Sequence, residues 1–129
     1  MLTPGTEQTL KELKKRGILC VILSTHPKNL QNTQKILEDK ILHFRLKDYF
    51  FELHATEEFH GSKGDFIIKI LQKYNIPKTK ALMIGDNYLW DYKPARNVGI
   101  EAVLLQSEYM KKDKRLKVIK NIKEVLKAI

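Results

Sequence analysis

The sequence predicts an α/β fold with a mainly parallel sheet, because apolar runs of strand length alternate along the chain with amphipathic helical segments. One apolar run covers residues 81–85 and ends in a glycine, and another covers residues 18–24 and ends in hydroxyl side chains. Such runs, bounded by turn residues, are typical of strands that are buried on both faces. Parallel strands need crossover connections, which are nearly always right-handed and usually helical.

Each element is predicted from its own pattern of apolar and turn residues. Leu10 and Leu13 mark the buried face of the first helix, and Ser62 caps a later helix whose stripe includes Phe66 and Ile70. In chain order we expect helix 5–16, strand 18–24, helix 27–38, a connector over 41–50 with a short turn at 46–49, strand 51–54, helix 62–74, strand 80–85, helix 91–98, strand 101–105, an edge strand at 116–119 and a last helix after Asn121.

Length and composition predict one domain, residues 1–129. An apolar fraction of 43% over 129 residues is enough to build a core. The single cysteine, Cys20, excludes an internal disulfide, so we expect a reduced, cytoplasmic compartment. We expect no membrane association, since no apolar stretch approaches spanning length and the first residues do not form a signal peptide.

A net charge of +9 raises the question of nucleic-acid binding. The chain has twenty lysines but only four arginines, and arginine is the better residue for bidentate phosphate and base contacts. The lysines are mixed with glutamates along helices, as on solvated faces, and the densest basic run covers residues 111–115. We therefore do not expect nucleic acid as the partner. A basic scaffold for nucleic acid or for a protein partner stays as the alternative function.

The segment that follows the strand at 80–85 is the strongest candidate for a site. Asp86 comes directly after Gly85, and Asp91 follows five positions later. Open α/β sheets bind ligands at the carboxyl ends of their strands, and two carboxylates in one loop can hold a hard cation such as Mg²⁺. The alternative is an acidic loop that only solvates the strand end. Trp90 and Tyr88, in the same loop, wall the site or pack against the sheet.

Two further segments add candidate phosphate ligands. Ser24 and Thr25 end the strand at 18–24 and offer hydroxyl and backbone N–H donors near the start of the next helix, although capping that helix is the alternative role. Lys63 opens the helix at 62–74 and can neutralise a phosphate or hold the aspartate loop, although most lysines are solvated surface residues. His26 follows Thr25 and is a weaker candidate for substrate contact.

Taken in order, these segments resemble the haloacid-dehalogenase-like hydrolases, a superfamily composed mostly of Mg²⁺-dependent phosphatases. Ser24, Lys63, Asp86 and Asp91 match the hydroxyl, the lysine and the Gly-Asp-x-x-x-x-Asp loop of that superfamily. The resemblance covers about residues 4–128 and implies a Rossmann-like three-layer sandwich, without the cap domain that members of the superfamily carry. It also implies phosphate binding by Ser24, Thr25 and Lys63, a catalytic role for Lys63, Mg²⁺ at Asp86 and Asp91, and a phosphorylated small molecule or phosphoprotein as substrate.

The first motif of that superfamily is missing from this sequence. The motif, Asp-x-Asp-x-Thr, supplies the nucleophile and the general acid, but no two aspartates here are spaced by two. Three explanations stay open: a truncated chain, a second chain that supplies the motif, or a catalytically inactive binder of phosphate or metal. The resemblance also implies that the usual first central strand is missing from the sheet. We therefore expect residues 18–23 to pair directly with 81–85, or a strand from a partner or a second copy to complete the sheet.

Overall fold

The computed structural model describes residues 5–26, 32–57, 63–105 and 117–129. Helices and strands alternate through these ranges, which confirms the predicted α/β class. The elements in chain order are α1 Thr6–Lys15, β1 Val21–His26, α2 Thr33–His43, a 3₁₀ turn Lys47–Tyr49, β2 Glu52–Glu57, α3 Lys63–Lys73, a 3₁₀ turn Lys78–Lys80, β3 Leu82–Gly85, a π-helical turn Tyr88–Tyr92, α4 Lys93–Asn97, β4 Glu101–Leu105, β5 Val118–Ile119, a 3₁₀ turn Ile122–Glu124 and α5 Val125–Ala128.

The chain divides into two compact units, and the first comprises Met1–His60 with Ile122–Ile129. Its sheet consists of β1 and β2, which run parallel with Ile22 opposite Leu53. One face of this pair packs against a cluster of buried side chains from α1, α2 and the following loop. The cluster comprises Leu10, Leu37, Ile41 and Leu46.

The second unit, Gly61–Asn121, carries the strand that precedes the aspartate loop. Its sheet has the order β3-β4-β5, and all three strands are parallel. The helices α3 and α4 contact each other, and Leu71 and Ala95 from these helices pack with Ile100 and Leu104 in one apolar core. Met83 of β3 packs against this core as well, so the core holds the strand that precedes the aspartate loop.

The structure corrects several predicted boundaries. The strand predicted at 18–24 is Val21–His26, so it continues through Ser24 and Thr25. The helix predicted at 27–38 is Thr33–His43, and Pro27 lies outside the described residues, as does Ser62. The helix predicted at 91–98 begins as a π-helical turn at Tyr88.

The predicted direct pairing of residues 18–23 with 81–85 is wrong. Among the described strands, β1 forms its ladder with β2, and β3 forms its ladder with β4. Each of the two sheets packs against helices of its own unit, so each gains its apolar burial without the other strand. Within the described ranges, no helix is both long enough and apolar enough to span a bilayer.

Candidate functional site

The aspartate loop begins where β3 ends, at the carboxyl edge of the parallel sheet. Gly85 is the last residue of the strand, Asp86 lies in a bend, and Asn87 precedes the π-helical turn. The two predicted metal ligands lie in different environments, because Asp86 is exposed whereas Asp91 is buried. Turns of this π-helical type occur frequently at functional sites.

Lys63 and Asp91 form a buried ion pair. The Lys63 Nζ donates to Asp91 Oδ1 at 2.5 Å, and the two side chains are 12% and 8% exposed. The backbone N–H of Asn87 donates to the other carboxylate oxygen, Oδ2, at 3.3 Å. Both oxygens of Asp91 therefore have a protein donor, and the charge of Lys63 is held at the loop.

Position 85 has no room for a side chain, so a glycine is required there. A side-chain carbon added at this position would overlap the carboxylate of Asp91. The φ angle of Gly85 is not among the positive values found at Gly5, Gly17 and Gly99, so a left-handed backbone is not the reason for a glycine here. The glycine instead lets the buried carboxylate lie directly against the end of the strand.

The position of Lys63 depends on a close approach of two helices. Gly64, the second residue of α3, lies against the backbone carbonyl of Pro94 in α4, and a side-chain carbon at Gly64 would overlap that oxygen. Because Gly64 has no side chain, the start of α3 packs directly against the backbone of α4. Lys63, one residue earlier, is thereby brought to the aspartate loop.

Asn87 is a site residue that the sequence reasoning missed. Its Oδ1 accepts a hydrogen bond from the backbone N–H of Trp90 at 3.0 Å and so caps the π-helical turn. An asparagine immediately before a helical segment is a recognised capping signal, and it was available in the sequence. Tyr88 and Tyr92 stack with ring centroids 5.9 Å apart and pack on the core, while Trp90 is exposed.

The other predicted phosphate ligands belong to the first unit. Ser24 is half-buried in β1, opposite Ala55 of β2. Thr25 follows it in the same strand, but its side chain lies outside the described residues, as does that of His26. The second unit contains the other three predicted site residues, Lys63, Asp86 and Asp91. Of these, the structure brings Lys63 into contact with Asp91.

The described residues offer the type of ligand that a hard cation prefers, but too few of them to complete its coordination. Carboxylate oxygens suit Mg²⁺, which prefers six oxygen ligands. Asp86 is exposed at the strand end, while Asp91 already accepts from Lys63 and Asn87. In the described part of the chain, no three His, Cys, Asp or Glu side chains cluster as metal ligands do. Asp86 could therefore hold a cation only together with ligands from elsewhere.

Cys20 does not offer an alternative nucleophile. It lies beside β1, half-buried, and packs against the apolar cluster of the first unit. Burial raises the pKa of its thiol, which keeps the sulfur protonated at neutral pH. Cys20 therefore serves as a small apolar residue of that cluster.

A family model described as haloacid dehalogenase-like hydrolase matches residues 1–105. This chain belongs to that family. The match includes β1, the start of α3 and the aspartate loop, so it covers every predicted site residue.

Named relatives and solved structures agree with the family. The chain is 32% identical to glyceraldehyde 3-phosphate phosphatase of Pyrococcus furiosus, over 78% of this chain and 40% of that protein. It is 30% identical to haloacid dehalogenase-like hydrolase domain-containing protein 3 of Mus musculus, over 78% and 38%. A HAD phosphatase from Thermococcus onnurineus has the same fold, with a TM-score of 0.78, 20% identity and coverage of 99% of this chain and 58% of that one. The chain thus spans about two fifths of the length of these two relatives.

Proposed function

We propose that this chain contributes part of the site of a Mg²⁺-dependent phosphohydrolase. The observation that carries the proposal is the buried Lys63–Asp91 pair in the loop that the exposed Asp86 opens at the carboxyl end of β3. Burying two charges is costly, and a fold that only needed packing would use apolar residues there. A lysine held in place at the carboxyl end of a strand supplies the hydrogen-bond donor that a phosphoryl group requires.

Each residue has a separate part in this proposal. Lys63 neutralises a phosphoryl oxygen, Asp91 fixes the direction of the Lys63 ammonium, and Asp86 supplies an oxygen ligand to the cation. Ser24 and Thr25 remain proposed donors to the phosphate. Mg²⁺, when bound, would screen the charge that develops on the phosphoryl oxygens.

The nucleophile must come from carboxylates that these 129 residues do not contain in the required spacing. We propose that a further polypeptide segment completes the site, either in the same protein or in a second chain. A phosphorylated small molecule is the proposed substrate class, because a relative that matches most of this chain is named as a glyceraldehyde 3-phosphate phosphatase. A phosphoprotein is the other candidate.

Calorimetric titration with Mg²⁺ tests the metal part of the proposal. We expect weak binding by the unchanged chain and its loss in Asp86→Asn, because Asp86 is the exposed carboxylate of the loop. Asp39→Asn is the matched control, since Asp39 is an exposed aspartate on α2. Equal heats for Asp86→Asn and Asp39→Asn would remove Asp86 from the site.

Hydrolysis of p-nitrophenyl phosphate tests the catalytic part. We expect the isolated chain to show little or no turnover, because a catalytic unit that lacks its nucleophile loses most of its rate. Robust Mg²⁺-dependent turnover that disappears in Asp86→Asn would contradict the need for a further segment. It would show that a residue of this chain takes the place of the nucleophile.

A further inference from the structure

The outer edge of β2 is covered by a side chain. β2 pairs with β1 along one edge. Along the other, the carboxamide of Gln34, on α2, donates from Nε2 to the Leu53 carbonyl oxygen at 2.7 Å and accepts at Oε1 from the Ala55 N–H at 2.8 Å. Both distances are within the range of well-formed hydrogen bonds.

Two further features hold the Gln34 side chain in this position. Its Nε2 also donates to Glu38 Oε1, one helical turn later, at 3.2 Å. Gln34 precedes the buried residues Leu37 and Ile41 by three and seven positions, so all three lie on one face of α2. The packing that buries α2 therefore also places the carboxamide over the strand edge.

A carboxamide carries one carbonyl oxygen and two N–H donors. The Gln34 side chain uses its oxygen and one donation at the strand edge, as a residue of a neighbouring strand uses its backbone carbonyl and N–H. The groups that it occupies, the Leu53 carbonyl and the Ala55 N–H, are two residues apart and point away from β1. These are the groups that an added strand would use. Natural sheets cover such edges because an uncovered one pairs with other chains.

We propose that the outer edge of β2 is a strand-pairing surface for a second copy of the same edge, and that Gln34 keeps it closed. The edge is complementary to itself under a twofold axis through residue 54. In an antiparallel pair about that axis, the Leu53 carbonyl of one copy accepts from the Ala55 N–H of the other, and the reverse bond forms as well.

The packing of β2 is compatible with this pairing. Leu53 and Ala55 point to the face that packs against the apolar cluster of the first unit, so a second strand would extend that same face. Glu52 and His54 lie on the opposite face, where the His54 Nε2 and Glu52 Oε1 are 2.6 Å apart. The backbone groups at the outer edge are thus the groups that decide whether pairing occurs.

Hydrogen exchange of the Ala55 amide, measured by NMR at low protein concentration, tests the cover. We expect exchange to be about tenfold faster in Gln34→Ala, because the donor loses its acceptor. Gln34→Glu can accept from Ala55 but cannot donate to Leu53, so it keeps part of the protection. Lys35→Ala, an exposed neighbour on α2, is the control and leaves the rate unchanged. An unchanged rate in Gln34→Ala would overturn the role of Gln34.

Sedimentation and cross-linking test the pairing itself. We expect the average mass of Gln34→Ala to rise with concentration above that of the unchanged chain and of Lys35→Ala. In the proposed pair the two copies of residue 54 have Cα atoms about 4.5 Å apart, which permits a disulfide. His54→Cys should therefore form disulfide-linked dimers far more in the Gln34→Ala background than with Gln34 present. Gln34→Ala with His54 unchanged is the control, because it measures any cross-linking through Cys20. Equal masses and equal cross-linking with and without Gln34 would overturn the proposal.

Discussion

Two groups of charged side chains in the second unit differ mainly in burial. In the aspartate loop, Lys63 and Asp91 are almost fully enclosed and 2.5 Å apart. At the start of β4, Glu101 accepts from Arg96 and from Lys117, both at 2.9 Å, but all three side chains are 46–68% exposed. The second group has more ionic contacts, yet water competes for each of them.

The difference shows which group the fold depends on. Exposed ion pairs contribute little, because solvent screens the charges and two long side chains must be held still. Breaking a buried pair leaves one uncompensated charge without water, which is strongly unfavourable. The pair at Lys63 and Asp91 therefore constrains the loop, whereas the group around Glu101 lies on the surface at the amino end of β4.

Removing the charge of Asp91 should have the largest effect. We expect Asp91→Asn to lower the free energy of unfolding by about 3–5 kcal/mol, because the ammonium of Lys63 would stay buried without a counter-charge. Urea denaturation of the purified chain, followed by circular dichroism, measures this change.

The double variant Lys63→Met with Asp91→Leu is the control for that measurement. Removing both charges should recover most of the lost stability, since apolar residues of similar size often replace buried pairs well. A single variant that loses under about 1 kcal/mol, the value typical of exposed pairs, would show that Asp91 is solvated and would remove the contrast.

Gly64→Ala should have the next largest effect. Alanine favours helices over glycine by up to about 1 kcal/mol, so propensity alone predicts stabilisation. The added carbon would overlap the Pro94 carbonyl, which belongs to the backbone and cannot rotate away. We expect a net loss of about 1–3 kcal/mol, as for other overpacked sites.

Gln72→Ala, at an exposed position of the same helix, provides the comparison. We expect it to change stability by less than about 0.5 kcal/mol. If Gly64→Ala proved as harmless as Gln72→Ala, α3 would not need its close approach to α4, and the account of how Lys63 is positioned would fail.

The alternation of helices and strands could be predicted from the sequence because it depends on local patterns. The apolar run before Gly85 was sufficient to predict β3, and the stripe that includes Phe66 and Ile70 was sufficient to predict α3. The start of β1 and the extent of α2 could not be predicted as well. Ile18 and Leu19 are as apolar as the strand that follows, but they are exposed and precede its ladder with β2.

The site shows the same limit. The spacing of Asp86 and Asp91 identified the loop, but spacing could not show that Asp91 turns inward to Lys63 while Asp86 stays exposed. That outcome depends on the space left by Gly85 and Gly64. Gly85 lies against Asp91, across a turn, and Gly64 lies against Pro94, which is distant along the chain. Resemblance identified the residues, and packing decided their environments.

The smallest effect is expected at Glu101. Hydrogen bonds from Lys117 and then Arg96 hold the pKa of its carboxyl below the ordinary value. Because the folded-state pKa is lowered, any contribution to stability is fully present above the ordinary carboxyl pKa and is lost as the pH falls through the lowered one. Glu101→Gln should therefore match the unchanged chain in acid and differ from it only slightly at neutral pH.

Urea midpoints of Glu101→Gln and of the unchanged chain, compared across pH and at low and high salt, test this expectation. The small difference at neutral pH should shrink in high salt, because screening reaches exposed charges far more than buried ones. Lys63→Met, measured in parallel, should keep its loss of stability in high salt. A salt-resistant loss at Glu101 comparable to that at Lys63 would mean that exposure does not separate the two groups, and the distinction between a constraining pair and a surface pair would have to be given up.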